Sequence, residues 1–162
     1  MPGPRTPDSR RAARAKCGAN TRAAIVTDET TELVLPSRVE SIAEAAAAAD
    51  EVARRLALSE EAAYGLDLAV REAVTNAVLH GNKQDARLSV EITFADTGAQ
   101  LVVTVRDRGA GFDPAHVADP TDPQNLLKAS GRGILFMRSF MDEVEWTRHP
   151  EGGTVVRMTK KK

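Results

Sequence analysis

Residues 71–82, REAVTNAVLHGN, set Glu72, Asn76 and His80 four apart in an otherwise apolar stretch. On a helix of about 3.6 residues per turn the three fall in one narrow stripe. Leu66, Val70, Ala73, Val74, Ala77 and Val78 take the opposite face. A polar stripe bordering an apolar face lines a pocket, or it is a solvated helix edge. An edge of that second kind is ordinarily richer in Lys, Arg and Glu than in Asn and His.

A second group lies in VRDRGAGFDP, residues 105–114. Asp107 continues the alternation of Leu101, Val103 and Val105, so its carboxylate points toward the buried face. A carboxylate there needs a donor, and the exocyclic amino group of a purine is a suitable one. Gly109 and Gly111 follow and let a flat ring approach the backbone. The competing reading is an ordinary turn capped by Asp107. In SGRGI, residues 130–134, Gly131 and Gly133 open a predicted helix, with Lys128 and Arg132 nearby. They clear a path for phosphate to the backbone N–H groups, or they only end a loop. Thr154, in EGGTVVRM, shares a face with Val156 and Met158. Its hydroxyl either meets a purine, directly or through water, or is a satisfied core threonine.

These residues need elements to position them. TELVLPS predicts a strand ending at Pro36, and Ser37 with Glu40 has the form of a capping box opening a helix to about Leu56. The expected inward seam of that helix is Val39, Ile42, Ala46, Ala49, Ala53 and Leu56. Ser59 caps a second helix, with Glu60 and Glu61 in its first turn and Gly81 at its end. A hairpin follows around ADTGA, with Leu88, Val90, Ile92 and Phe94 on one face of its first strand. FDPAHVADPTDPQNLLKAS is long for a loop in a compact domain, where such loops are usually lids or binding segments. GRGILFMRSFM then predicts a short helix, and DEVEWTR with GGTVVRMTK a closing strand pair around Pro150–Gly153. The order implies an α+β fold: a two-layer sandwich of a mainly antiparallel sheet with helices on one face.

At 162 residues with 42% apolar content, the chain suits one domain with one core. The net charge of −1 gives no global attraction to nucleic acid. Residues 1–22 carry six basic side chains and one acidic one without an apolar run. They read as a disordered basic tail ahead of a domain over 23–162, neither a secretory signal nor a membrane span. A solvated arm is favoured over one that grips nucleic acid or membrane, and the expected location is cytoplasmic. The lone Cys17 excludes an intramolecular disulfide and a cysteine metal cage.

Taken in order and spacing, EAVTNAVLHGN, RDRGAGFDP, GRGILFMRSFMDEV and GGTVVRM resemble the Bergerat-type ATP-binding fold shared by gyrase, heat-shock chaperone, histidine-kinase and mismatch-repair ATPases. Within it the chain is most similar to the bacterial anti-sigma-factor serine-protein kinases, over roughly residues 30–160. The resemblance implies ATP and Mg2+ as cofactors, Asn76 as the metal-binding residue and Glu72 as general base. It implies His80 and Asn82 near the mouth of the site, Asp107 on the adenine amino group, and Gly109 and Gly111 beneath the ring. Gly131 and Gly133 would face the phosphates, Thr154 the purine, and residues 113–130 would form a mobile lid.

The implied activity is phosphorylation of an anti-anti-sigma antagonist on serine, alternating with sequestration of a sigma factor by a homodimer. Two departures bear on partner choice. Glu44 stands where such kinases commonly carry a basic residue, and Ala129, after Lys128, where an Arg often precedes Ser-Gly. A nucleotide-sensing partner-switching regulator without phosphoryl transfer is the alternative. A histidine-kinase catalytic domain is disfavoured, because no helical hairpin bears a phospho-accepting histidine: His80 belongs to the ATP motif, and His116 and His149 fall in loops.

Overall fold

Alternating burial builds the sheet. In the computed structural model, which describes residues 23–26, 29–113 and 132–162, every second residue is buried along most of β2 (Thr30–Pro36), β3 (Ser89–Asp96) and β4 (Gln100–Asp107). β1 (Ala23–Val26), β5 (Glu143–Arg148) and β6 (Thr154–Lys161) complete one sheet in the order β1-β2-β3-β4-β6-β5. Each neighbouring pair is antiparallel. β1, which pairs Ala23 with Val34 and Val26 with Thr31, was not expected; four residues are too few to carry a period. Leu88, assigned from sequence to the first hairpin strand, lies just before β3 and is half-buried.

Three helices cover one face: α1 (Glu40–Arg55), α2 (Glu60–Asn76) and α3 (Arg132–Phe140). The Ser59 cap forms as the sequence predicts, its Oγ accepting from the Ala62 amide at 3.2 Å. The Ser37–Glu40 capping box does not. Ser37 N–H donates to the Leu88 carbonyl, which ties Ser37 to the sheet, and Ser41 Oγ donates to the Pro36 carbonyl at 2.6 Å. The helix therefore begins at Glu40 without a side-chain cap. This shifts its buried seam to Ser41, Ala45, Ala46, Ala49, Val52 and Ala53. Val39 is left 55% exposed, and Ile42 and Leu56 are only partly buried.

The apolar face of α2 is wholly buried, from Leu66 to Val78, in one core with Val90, Ile92, Phe94, Val103, Val105, Val156 and Met158 of the sheet. α3 sends Met137 into that core and Phe140 edge-on to Tyr64 of α2, with ring centroids 5.8 Å apart. The result is the expected α+β two-layer architecture. Among the described residues no helix is long and apolar enough to cross a membrane. The basic tail, and the expected lid beyond Asp113, lie outside the described residues.

Candidate functional site

The β4–β6 register, with Arg106 opposite Val155, sets the end of β4 beside the start of β6. There the Asp107 carboxylate, 0% exposed, accepts the Thr154 amide at 2.9 Å and the Gly109 amide at 3.1 Å. Thr154 Oγ1 in turn accepts the Phe112 amide at 2.8 Å and lies 3.0 Å from the Phe112 carbonyl, to which its hydroxyl donates. A loop from Gly109 to Phe112 is thus fastened to the ends of two strands. Gly111 has φ +75°, and a Cβ there would sit 2.7 Å from Thr154 Oγ1, so only glycine fits. Gly109 packs on the Gly81 carbonyl at the end of α2. Burial raises the Asp107 pKa, and the Thr154 and Gly109 amides and the Arg148 charge draw it back.

α2 supplies the second half of the site. Its last turn is a π turn, Ala77–Gly81, closed by the Asn82 amide on the Ala77 carbonyl at 2.8 Å. The expected stripe splits by depth. Asn76 sinks to 3% exposure while His80 stays exposed, its ring 6.1 Å from that of Phe112. The Asn76 side-chain nitrogen is buried and makes no close hydrogen bond among the described residues, although it lies near enough to the Glu72 carboxylate to lower its pKa. Glu72, one turn earlier, is half-buried. Burial raises its pKa, and the Asn76 amide and the His80 charge lower it in part.

Gly133, in the first turn of α3, lies against the Glu72 carboxylate so closely that a Cβ there would overlap it. The structure therefore brings Glu72, Asn76 and Gly133 together where α2 meets the start of α3, and Asp107, Gly109, Gly111 and Thr154 together at the strand ends. His80 borders the second group through Phe112. Gly131 lies outside the described residues.

Asn82 departs from expectation. Its side-chain nitrogen donates to the Ser89 carbonyl and its oxygen accepts the Arg108 amide at 2.9 Å, so both ends are spent on backbone. It pins the strands beside the Gly109 end of the loop. Sequence reasoning missed Arg148, whose guanidinium donates to the Ala110 carbonyl at 2.7 Å. The hairpin turn at Pro150–Gly153 was the available signal, since it pairs Arg148 with Thr154.

The residues present suit an ATP-like ligand with a hard cation. The Asp107 carboxylate is an acceptor of the kind an exocyclic amine needs, and the Asn76 carboxamide carries an oxygen of the kind a hard cation takes. Among the described residues no group of three or more His, Cys, Asp or Glu side chains could hold a metal alone, so a cation here would need ligand oxygens as well.

A family model described as a histidine kinase-like ATPase domain matches residues 35–160. The chain is also similar to curated proteins named anti-sigma F factor. It is 39% identical to that of Bacillus velezensis over 97 residues, covering 56% of this chain and 64% of the relative. For Bacillus subtilis the identity is 38% over 95 residues, with the same coverage. For Heyndrickxia coagulans it is 37% over 102 residues, 59% of this chain and 67% of the relative. The chain thus spans about 64% of the length of the first two relatives.

Proposed function

We propose, on the premise that this chain belongs to the histidine kinase-like ATPase domain family, that it is an ATP-binding anti-sigma factor with serine/threonine-protein kinase activity. Its substrate is a serine of an anti-anti-sigma antagonist, and its alternative partner is a sigma factor held by a homodimer in the cytoplasm. The observation that carries the reading is the Glu72 carboxylate set against Gly133 and near the buried Asn76 amide, whose nitrogen makes no close hydrogen bond among the described residues.

Each residue has a role that its surroundings support. Asp107 accepts the adenine amino group while Thr154 and the Gly109–Phe112 loop shape the ring's bed. Asn76 would offer its carboxamide oxygen to Mg2+, whose charge would offset that of the phosphates. Gly131 and Gly133 would give phosphate oxygens access to the backbone N–H groups at the start of α3. Glu72 would accept the serine hydroxyl proton as the γ-phosphoryl group passes from the β,γ-bridging oxygen of ATP to the serine oxygen, leaving ADP. A raised carboxylate pKa brings its basicity nearer to that task.

Calorimetric titration of ATP, with and without Mg2+, into wild type and Asn76→Ala tests the reading. Mg-dependent binding that the variant loses is expected. A folded wild type that takes up no ATP would overturn it. ATP binding with no phosphoprotein formed across a panel of antagonists would instead favour a partner-switching regulator that senses nucleotide without phosphoryl transfer.

A further inference from the structure

The Gly109–Phe112 loop is fastened to the strand ends by Asp107 and Thr154, and a groove borders its far end. A groove of about 380 Å3 separates it from the edge strand, with Phe112 and Asp113 on one wall and Trp146, Thr147 and Arg148 on the other. A bond from the edge strand to the loop across this groove needs a long polar side chain. Arg148 fits that description. It stands opposite Thr154 in the β5–β6 register, and its Nη2 donates to the Ala110 carbonyl at 2.7 Å.

We propose that Arg148 is a positioning residue of the nucleotide site, a strut from β5 that holds the Gly109–Phe112 loop in the shape that receives the purine and turns a positive charge toward the Asp107 carboxylate. The inference rests on the nucleotide reading of the site and deepens it. Arg148 itself touches no ligand in this account; it acts through Ala110 and Asp107.

Charge and geometry act together. Burial raises the Asp107 pKa, and Arg148 is among the groups that draw it down. Asp113 shares the groove with Arg148, and the remaining charged groups near the pocket are differently engaged. Arg106 and Arg108 turn to Glu91, and Arg106 also to Glu151, on the far side of the sheet. His149 pairs with Glu151 in the β5–β6 turn, and Glu72 and His80 lie on α2 and its π turn. Removing Arg148 therefore favours protonation of Asp107 and frees the loop at one stroke.

The test is ATP titration by calorimetry from pH 5 to pH 8 with wild type, Arg148→Ala and Arg148→Lys, paired with amide hydrogen exchange of the ligand-free proteins. Arg148→Ala should weaken ATP binding about tenfold near neutral pH, the scale of one hydrogen bond to a charged donor. Its affinity should fall off at a higher pH than that of wild type, and exchange at the Gly109 and Phe112 amides should speed up. Arg148→Lys, which keeps the charge, should restore the pH profile more fully than the exchange rates. If wild type binds ATP and Arg148→Ala matches it in affinity and pH profile, the strut is wrong. Unchanged exchange at Gly109 and Phe112 would refute it equally. Failure of wild type to bind ATP would overturn the nucleotide reading and this inference with it, while the exchange rates would still tell whether Arg148 holds the loop.

Discussion

Asp107 and Thr154, 47 residues apart in sequence, meet at 2.9 Å where the Asp107 carboxylate accepts the Thr154 amide. This one bond joins the end of β4 to the start of β6 and leaves the carboxylate with two backbone donors, the second being Gly109. The candidate base pocket is built around it.

Asp107→Asn should weaken ATP binding by about 1.5–3 kcal/mol, the loss of a hydrogen bond to a charged acceptor. The fold should persist. Because an amide has one acceptor oxygen for the two backbone donors, stability should also fall by about 1 kcal/mol. Calorimetry and thermal unfolding of the same sample separate the two effects, and unfolding without a selective loss of ATP affinity would return Asp107 to a purely structural role.

Glu72→Gln should lower phosphoryl transfer by about 10²–10⁴-fold, the usual share of a general base, and leave ATP affinity nearly unchanged. Burial raises the Glu72 pKa, so the wild-type rate should fall as pH drops through that raised value and the base takes up a proton. Stability carries the opposite sign. A carboxyl group whose folded pKa exceeds its unfolded one favours the folded state fully below the unfolded pKa, and that contribution is lost as pH rises through the folded pKa. Glu72→Gln should therefore raise the melting temperature by ~2 °C at pH 7 and not at pH 4. A phosphorylation assay and melting curves at both pH values check the pair of outcomes.

Gly133→Ala places a methyl group where the Glu72 carboxylate lies. Displacement of the carboxylate by about 1 Å should cost roughly 10²-fold in phosphoryl transfer. Helix propensity is, if anything, improved, so the thermal midpoint should hold. Single-turnover transfer to the antagonist is the readout, and a wild-type rate would separate Glu72 from the chemistry.

Ser59→Ala removes the α2 cap far from the site. It should cost about 1 kcal/mol of stability and leave ATP affinity untouched. Chemical denaturation and ATP titration on the same variant measure both, and a matching loss of affinity would mean that the position of α2 is set from its N-terminus.

Much was legible in the chain itself. The period-two runs in 90–105 and 154–158, the Ser59 cap and the apolar face of α2 are local patterns, decided by side chains within a few residues of each other, and the structure repeats them. Strand parity likewise placed Asp107 on the buried face before any partner was known. The Ser37–Glu40 capping box failed because Leu88, some fifty residues away in sequence, claims the Ser37 amide for the sheet, a competition that no local window contains.

What the sequence determined by itself is therefore the set of elements and the residue types at the site. Their propensities, periods and motifs act over one or two turns. Tertiary structure alone decided that β6 enters between β4 and β5, which brings Thr154 to Asp107, and that Arg148 reaches Ala110 across the groove. It also decided that Asn76, at the end of α2, is buried while His80, in the π turn, stays outside. Those outcomes depend on which distant backbone donors and apolar surfaces are satisfied at once, and only the closed fold, with α2 and α3 on the sheet, brings those groups into reach.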